Sequence, residues 1–201
     1  DRLGSTIEFG DIKLHVLAPD HDVAYENKPK EPDELGVRSD DWYIDLRTLI
    51  DNVDDDDIDE GGTNSQSIII LAECEGKKLL LPGDSTPKKL CDALQSYNKT
   101  NGTPLELDFM KLPHHGSTRN VTKNILNEVT CSNFIISTKK NNKYYLPNKE
   151  TIAKLIRYRD SADKAINVYF NYQESLDVLG ITAEELTENN INLNVCNEFN
   201  F

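Results

Sequence analysis

The strongest constraint on the fold is a set of short apolar runs, each followed by proline or glycine and then by polar residues. The runs at 67–72 and 78–81 are separated by the turn Glu75-Gly76, and a third run ends at Leu112. Apolar runs of this length, bounded by turn residues, are typical of buried strands. The sequence therefore predicts a sheet whose strand ends carry polar side chains.

Strands and helices alternate along most of the chain. Two short strands are predicted within Ile7–Leu17, where apolar and polar residues alternate. Later strands are predicted at Leu105–Leu112, Asn133–Ser137, Ile166–Tyr172 and Ile191–Cys196, and helices at Thr86–Tyr97, Thr122–Val129, Lys149–Arg159 and Thr182–Thr187. This alternation predicts an α/β fold.

The segment at about 21–62 differs from the rest in composition. It is polar and rich in proline and acidic residues, and Trp42–Val53 predicts one amphipathic helix. Because a structureless connection of about 40 residues is unusual in a compact domain, we expect a partly helical insertion. Seven acids between Asp51 and Glu60 predict a solvated loop at its end. Calcium binding is the weaker alternative, because the EF-hand pattern is absent.

The composition limits the class of protein. No apolar run approaches the roughly 20 residues that a membrane span needs, so we expect no membrane insertion. The four cysteines form no CxxC pair, so we expect reduced thiols and a cytoplasmic protein. The net charge of −13 argues against a broad phosphate-binding surface but is compatible with nucleic acid held by metals in a cleft.

The first candidate functional residue is Asp84, which follows an apolar run across Pro82-Gly83. Gly83 lets the backbone turn sharply. A carboxylate on a rigid element at a strand end is well suited to holding a cation. The alternative is that Asp84 caps the following helix, since aspartate is a preferred N-cap.

The second candidate is the pair His114-His115, which follows the run that ends at Leu112. Imidazole is the commonest neutral ligand of zinc. Adjacent histidines at a strand end point in different directions, so one can bind metal while the other contacts substrate or acts as an acid. A structural role is the alternative for the pair. His15 and His21 are expected to be structural or to face solvent, and the alternation of His15 with Leu14 and Val16 favours solvent for His15.

The third candidate group follows the strand predicted to end at Ser137. It comprises that serine with Asn141, Tyr144, Tyr145 and Pro147 in a polar loop. The alternative interpretation is an ordinary surface loop.

Five segments occur in a defined order along the chain. They are Asn64-Ser65-Gln66-Ser67, the run ending in Pro82-Gly83-Asp84, the segment Lys111–Ser117, the strand ending at Ser137, and Asn141–Pro147. This order resembles the metallo-β-lactamase domain of bacterial competence (DNA-internalisation) proteins. The segment from Thr6 to Pro19 also resembles the strand pair that precedes the Asn-Ser strand in that family.

The resemblance implies the αββα sandwich of the metallo-β-lactamase fold, of which this chain would form the C-terminal half. Two metals, commonly zinc with manganese as an alternative, would lie between the two sheets. Asp84 would match the carboxylate that bridges the metals, and His115 would bind the second metal. His114 would contact substrate as a catalytic neighbour. The reverse assignment of the two histidines stays open.

The same resemblance assigns substrate contacts to residues in the neighbouring loops, namely Ser117, Ser137, Asn141 and Tyr144. Zinc makes water acidic enough to supply hydroxide near neutral pH. The implied reaction is therefore hydrolysis, with a phosphodiester as the expected substrate and another ester or an amide as the alternative.

Two departures from the family pattern affect this transfer. The His-x-His-x-Asp-His motif, which supplies most ligands of the first metal, does not occur in the sequence, and Leu146 replaces the loop histidine before Pro147. Asp84 and one histidine cannot by themselves hold two metals. We therefore expect an N-terminal half of the same fold to complete the site, as a separate chain, a cleaved fragment or the preceding part of a longer protein. A degenerate, metal-free relative is the alternative.

The sequence thus predicts a metal-dependent phosphodiesterase or nuclease that acts on nucleic acid or nucleotides in a complex with that N-terminal half. The alternative function is a catalytically inactive interaction subunit. Its apolar surface and sheet edges would need a partner, and its acidic insertion would mimic nucleic acid or bind a basic protein.

Overall fold

The structure is a computed structural model and describes residues 5–19, 40–102 and 104–199. The strands of this part are β1 (Thr6–Phe9), β2 (Ile12–Ala18), β3 (Ile69–Cys74), β4 (Lys77–Leu81), β5 (Leu105–Glu106), β6 (Phe109–Lys111), β7 (Val129–Thr130), β8 (Asn133–Ile136), β9 (Ile166–Phe170) and β10 (Ile191–Val195). Its helices are α1 (Leu46–Asp51), α2 (Pro87–Asn101), α3 (Lys123–Asn127), α4 (Lys149–Tyr158), α5 (Gln173–Asp177) and α6 (Ala183–Glu188). The predicted α/β class is confirmed.

Eight strands form one mixed sheet in the order β1-β2-β3-β4-β6-β8-β9-β10, and β5 pairs with β7 beside it. Neighbours from β1 to β4 are antiparallel, and neighbours from β4 to β10 are parallel. The carboxyl ends of β4, β6, β8 and β9 therefore meet at one edge of the sheet, and the loops that follow these strands are neighbours.

One face of the sheet is covered by helices. The crossovers from β4 through α2, α3 and α4 to β9 all advance in the same direction across the sheet, and right-handed crossovers of this kind place their helices on the same face. α2 contacts α3, α3 contacts α4, and α4 contacts α1. Residues on this face are almost fully buried, among them Leu71, Leu80, Met110, Phe134 and Val168, which makes the interface between sheet and helices the core.

The opposite face, which we call the open face, is also apolar. The register places Val16, Ile70 and Leu81 in one row across this face and Leu14, Ala72, Leu79 and Phe109 in the next. All of these residues are only half-buried. Toward β1 the residues of this face become more exposed, with Phe9 at 65%. Phe199, which follows β10, lies against Phe109, with ring centroids 4.8 Å apart.

The end of the predicted insertion differs from expectation. α1 is shorter than predicted because Asp45 caps it, accepting a hydrogen bond from the Thr48 amide, while Trp42 lies before the helix. Trp42 is nevertheless buried, and its indole N–H donates to the Pro147 carbonyl at 2.8 Å. Residues 20–39, which include His21, lie outside the described residues.

Three of the seven acids depart from the predicted solvated loop, whereas the other four are exposed as predicted, namely Asp51, Asp54, Asp56 and Glu60. Asp55 pairs at 2.9 Å with Lys154, whose side chain is fully buried in α4. Asp57 pairs with Arg119 at 2.9 Å. Asp59 is only 7% exposed. The partners of these carboxylates include Lys154, Arg119 and Asn120, which lie far along the chain, so a count of local charge could not predict these contacts.

The single strand predicted at Leu105–Leu112 is divided into β5 and β6. The chain changes partners in its middle: the Leu107 amide donates to Thr130 O, and the Asp108 amide donates to Lys78 O. α5 and β7 were not predicted. Within the described ranges, no helix is long and apolar enough to cross a membrane.

Candidate functional site

Asp84 and His115 come together where β4 and β6 end. These two parallel strands are neighbours, so the loops that follow them lie side by side. The His115 Nε2 atom is 3.8 Å from Asp84 Oδ1, and both side chains are a little over 40% exposed. Asp84 does not cap α2, because the N-cap residue is Thr86. The capping alternative is therefore wrong, and the Asp84 carboxylate faces the histidine loop.

The two loops are tied together through their backbones. The His114 amide donates to Gly83 O at 3.1 Å. Gly83 has a positive φ of 62°, and a Cβ at this position would lie 3.3 Å from the Ser67 Cβ. Both the conformation and the close approach of the chain segments favour glycine here.

The histidine loop has a strained backbone. His114 and His115 have φ values of 43° and 60°, and Gly116 follows at 80°. Left-handed conformations of this kind cost non-glycine residues of the order of 1 kcal/mol each, and they cluster at functional sites. A second reason favours glycine at position 116, besides its positive φ. A Cβ added there would lie 3.3 Å from the Ile136 side chain. Tertiary packing thus holds His114 and His115 in a backbone conformation that residues other than glycine rarely adopt.

His115 is oriented by a backbone carbonyl. Its Nδ1 lies 2.8 Å from Ser137 O. Because a carbonyl oxygen only accepts, Nδ1 carries a proton, and in the neutral ring the lone pair is on Nε2, on the side of Asp84. A histidine that donates one ring N–H to a carbonyl and presents the other nitrogen has the arrangement usual for a metal ligand.

His114 lies in a different environment, inside a network of polar side chains. Its Nδ1 is 3.1 Å from Asn120 Oδ1 and 3.4 Å from Asp59 Oδ2. The interaction with Asp59 raises the pKa of His114 against the opposing effect of burial, and the Asp84 charge adds to the increase. Burial alone would raise the pKa of Asp59, but hydrogen bonds from His114, Asn120 and Asn64 hold it well below its usual range.

A lysine completes the described surroundings of Asp84. Lys111 is half-buried at the end of β6, and its ammonium donates to Leu112 O at 3.2 Å. Burial lowers the pKa of Lys111, and the nearby Asp84 carboxylate opposes that shift. The end of β6 therefore contributes a cation to the same site.

The predicted substrate-binding residues occupy varied positions. Ser137 contributes its carbonyl to His115, whereas Ser117 is 7% exposed and its amide donates to His114 O. The Asn141 side chain accepts hydrogen bonds from the Lys143 and Tyr144 amides, so it shapes its own loop. Tyr144 is half-buried. All four lie in loops that follow β6 or β8.

Sequence reasoning missed Asp59 and Asn120. Asp59 was counted within an acidic block, and Asn120 belongs to no motif that we identified. The one usable signal was position: Asn120 lies five residues after His115 and Asp59 five residues before Asn64, so both adjoin segments already selected.

The residues present fit one wall of a metal site. Zinc takes histidine nitrogen and carboxylate oxygen together, and Asp84 with His115 supplies one donor of each type. Among the described residues no group of three or more histidine, cysteine, aspartate or glutamate side chains has an arrangement that could hold a metal ion. A scan against protein-family models finds no match, and a search of curated proteins finds no significant match.

Proposed function

We propose that this protein is a metal-dependent hydrolase that cleaves phosphodiester bonds in nucleic acid or nucleotides. The observation that carries the proposal is the juxtaposition of Asp84 and His115. An oxygen and a nitrogen donor lie 3.8 Å apart at neighbouring strand ends, and His115 is held in the tautomer that presents Nε2.

The proposed ligands are the Asp84 carboxylate and His115 Nε2. Zinc or manganese at this position would act as a Lewis acid and make water acidic enough to supply hydroxide. His114, anchored through Nδ1, would present Nε2 to the substrate. There the neutral ring would accept a proton from the attacking water, and the charged ring would return it to the leaving group. The substrate would lie against the loops that carry Ser117, Ser137, Asn141 and Tyr144.

Local positive charge supports an anionic substrate, although the chain as a whole is acidic. Lys111 lies beside Asp84. The loop after β8 contains Lys139, Lys140 and Lys143 and no acidic residue. Lysines at the same sheet edge as the site would attract phosphate groups to it.

The proposal includes a second layer of protein that completes the site. Two donors do not satisfy zinc, which takes four ligands. The open face supports this part of the proposal, because its half-buried apolar rows lie beside the site and are suited to packing against another sheet. We propose that this layer is the N-terminal half of a metallo-β-lactamase αββα sandwich.

The test is metal content in the native assembly. The tagged chain is isolated under non-denaturing conditions with whatever completes it, and bound zinc and manganese are measured together with hydrolysis of bis(p-nitrophenyl) phosphate. Asp84→Asn and His115→Gln are expected to lower metal content and hydrolysis at least ten-fold. His15→Gln is the matched control. His15 also faces a carboxylate, that of Glu73 at 3.5 Å, but it lies on β2 and outside the proposed site. A metal-free assembly, or full activity in Asp84→Asn, would refute the proposal.

The second candidate is a catalytically inactive interaction subunit, and the apolar open face favours it. Phe9, Ile7 and Ile12 are exposed at its β1–β2 end. In that case the assembly would contain no metal, and the variants His114→Ala and His115→Ala would keep the partner with unchanged affinity.

A further inference from the structure

Asp59 accepts hydrogen bonds both from its own loop and from a distant loop that follows the histidine pair. Its Oδ1 accepts a hydrogen bond from the Gly61 amide at 2.8 Å. Its Oδ2 accepts from Asn64 Nδ2 at 2.8 Å and from Asn120 Nδ2 at 2.9 Å. With 7% exposure it is nearly withdrawn from solvent. Both carboxylate oxygens are thus engaged, in an orientation that leaves Oδ2 toward His114.

Asn120 transmits this orientation to the histidine. Its amide nitrogen donates to Asp59 Oδ2 and also to Ser85 O at 3.1 Å. Two acceptors on the nitrogen side assign the amide, so the Asn120 oxygen is the atom that lies 3.1 Å from His114 Nδ1. Asn120 is fully buried, so no other orientation satisfies both of its hydrogen-bonding ends as well.

The environment of His114 Nδ1 therefore favours one tautomer. Two acceptors face it, Asn120 Oδ1 at 3.1 Å and Asp59 Oδ2 at 3.4 Å. One donor, Asn64 Nδ2, also lies 3.4 Å away, but it is engaged with Asp59 Oδ2 at the shorter distance of 2.8 Å. The proton belongs on Nδ1, where it is donated to these oxygens, and Nε2 is left with its lone pair in the neutral ring.

We propose that Asp59 is a positioning residue for His114, which acts through Asn120 to hold the ring proton on Nδ1 and to present Nε2 toward the Asp84 side of the site. This proposal rests on the proposed hydrolase function for its catalytic meaning, because a positioned Nε2 matters only where a substrate or ligand meets it. It gives the end of the acidic block a role in the site.

A matched pair of variants separates positioning from general stabilisation. Asp57 and Asp59 lie two residues apart, and each binds a residue of the same loop, Arg119 or Asn120. Of these two contacts, only that made by Asp59 leads to His114. In Asp59→Asn an amide NH2 replaces one acceptor oxygen and faces a donor, whereas Asp57→Asn leaves the network around His114 intact.

The first measurement is the imidazole ¹⁵N spectrum of the chain, recorded at a pH at which the rings are neutral. His115 serves as an internal reference because its Nδ1 is bound to Ser137 O. We expect His114 in the Nδ1–H tautomer in the wild type and in Asp57→Asn, and a shift toward Nε2–H in Asp59→Asn. A wild-type Nε2–H tautomer overturns the proposal even if Asp59→Asn does not fold, and so does an unchanged tautomer in folded Asp59→Asn.

The second measurement is catalytic and uses the native assembly with bis(p-nitrophenyl) phosphate. We expect Asp59→Asn to lower kcat about 10- to 100-fold, the range typical for residues that orient a ligand or base, with KM and metal content little changed. An equal loss of kcat in Asp57→Asn would overturn the positioning role. If the wild-type assembly neither binds metal nor hydrolyses the probe, the hydrolase proposal fails, whereas the spectrum still decides how Asp59 acts on His114.

Discussion

The fully buried lysine of α4 provides the sharpest test of how the acidic block is held. Lys154 pairs with Asp55 at 2.9 Å and donates to the carbonyls of Thr118 and Val121 at 2.9 and 3.0 Å. One ammonium therefore joins α4, the acidic block and the loop that carries Asn120. We predict that Lys154→Met, which keeps most of the aliphatic packing, destabilises the protein substantially.

The magnitude follows from the groups left behind. Each buried carbonyl without a donor costs about 1–3 kcal/mol. The lost ion pair adds less, because the Asp55 side chain as a whole is 27% exposed. The sum is about 3 kcal/mol, at the lower end for breaking a buried pair. For a chain of this size, that free energy lowers Tm by about 6–12 °C.

The pH dependence gives a second measurement on the same variant. Burial alone would raise the pKa of Asp55, but Lys154 and the Lys123 amide outweigh burial, so the folded-state pKa lies below its usual value. A depressed carboxyl pKa stabilises the fold above about pH 4, the unfolded value, and this stability is lost as pH falls through the folded pKa. In Lys154→Met, the free energy of unfolding should therefore fall less steeply as the pH is lowered below about 4.

Urea unfolding at neutral pH, followed by circular dichroism, measures the change. The matched control is Lys88→Met, which removes an ion pair between Lys88 and Asp92 at 2.6 Å on the exposed surface of α2. We expect the control to leave the unfolding midpoint unchanged. A loss below about 1 kcal/mol for Lys154→Met would refute the reasoning, because the carbonyls would then find other donors at little cost.

Three further predictions concern the surroundings of the site. Gly116→Ala should lower the free energy of unfolding by about 2 kcal/mol, since it combines a positive φ with a Cβ that would contact Ile136. Chemical denaturation measures this change, and an unchanged free energy would contradict the strain inferred for the histidine loop. Trp42→Phe should cost about 1–2 kcal/mol, because the Pro147 carbonyl loses its indole donor; differential scanning calorimetry is suitable, as the variant lacks the chain's single tryptophan. In Asp59→Ala, the free energy of unfolding should fall less steeply below about pH 4. The lowered pKa of Asp59 means that its ionised carboxylate stabilises the fold above that pH and ceases to do so in acid. An unchanged pH dependence below about pH 4 would contradict its burial in a network of donors.

Much of the fold was predictable because its elements are short and locally encoded. The apolar run at β3, the turn at Glu75-Gly76 and the run at β4 predict a hairpin by composition alone, and the structure has it. Pro87 at the first turn of α2 likewise begins the predicted helix. Local signals did not predict the division of one expected strand into β5 and β6. No residue type marks the point at which the Leu107 amide binds β7 and the next amide, that of Asp108, binds β4.

The candidate site divides in the same way. Asp84 and the histidine pair were selected from the sequence because each follows an apolar run and a turn residue. The sequence could not determine the 3.8 Å between Asp84 and His115, because that distance depends on β4 and β6 being neighbours in the sheet.

By itself, the sequence determined the α/β class, the strand ends and the chemical character of Asp84, His114 and His115. Only the tertiary structure placed an acceptor at Nδ1 of His114 and of His115, namely the Asn120 amide oxygen and Ser137 O. It also placed three acids of the block in contact with distant residues, and one of them, Asp59, lies beside His114. The physical reason is the same in both cases: a carbonyl, an amide and a buried ammonium satisfy these groups from distant parts of the chain, and no local pattern records such pairing.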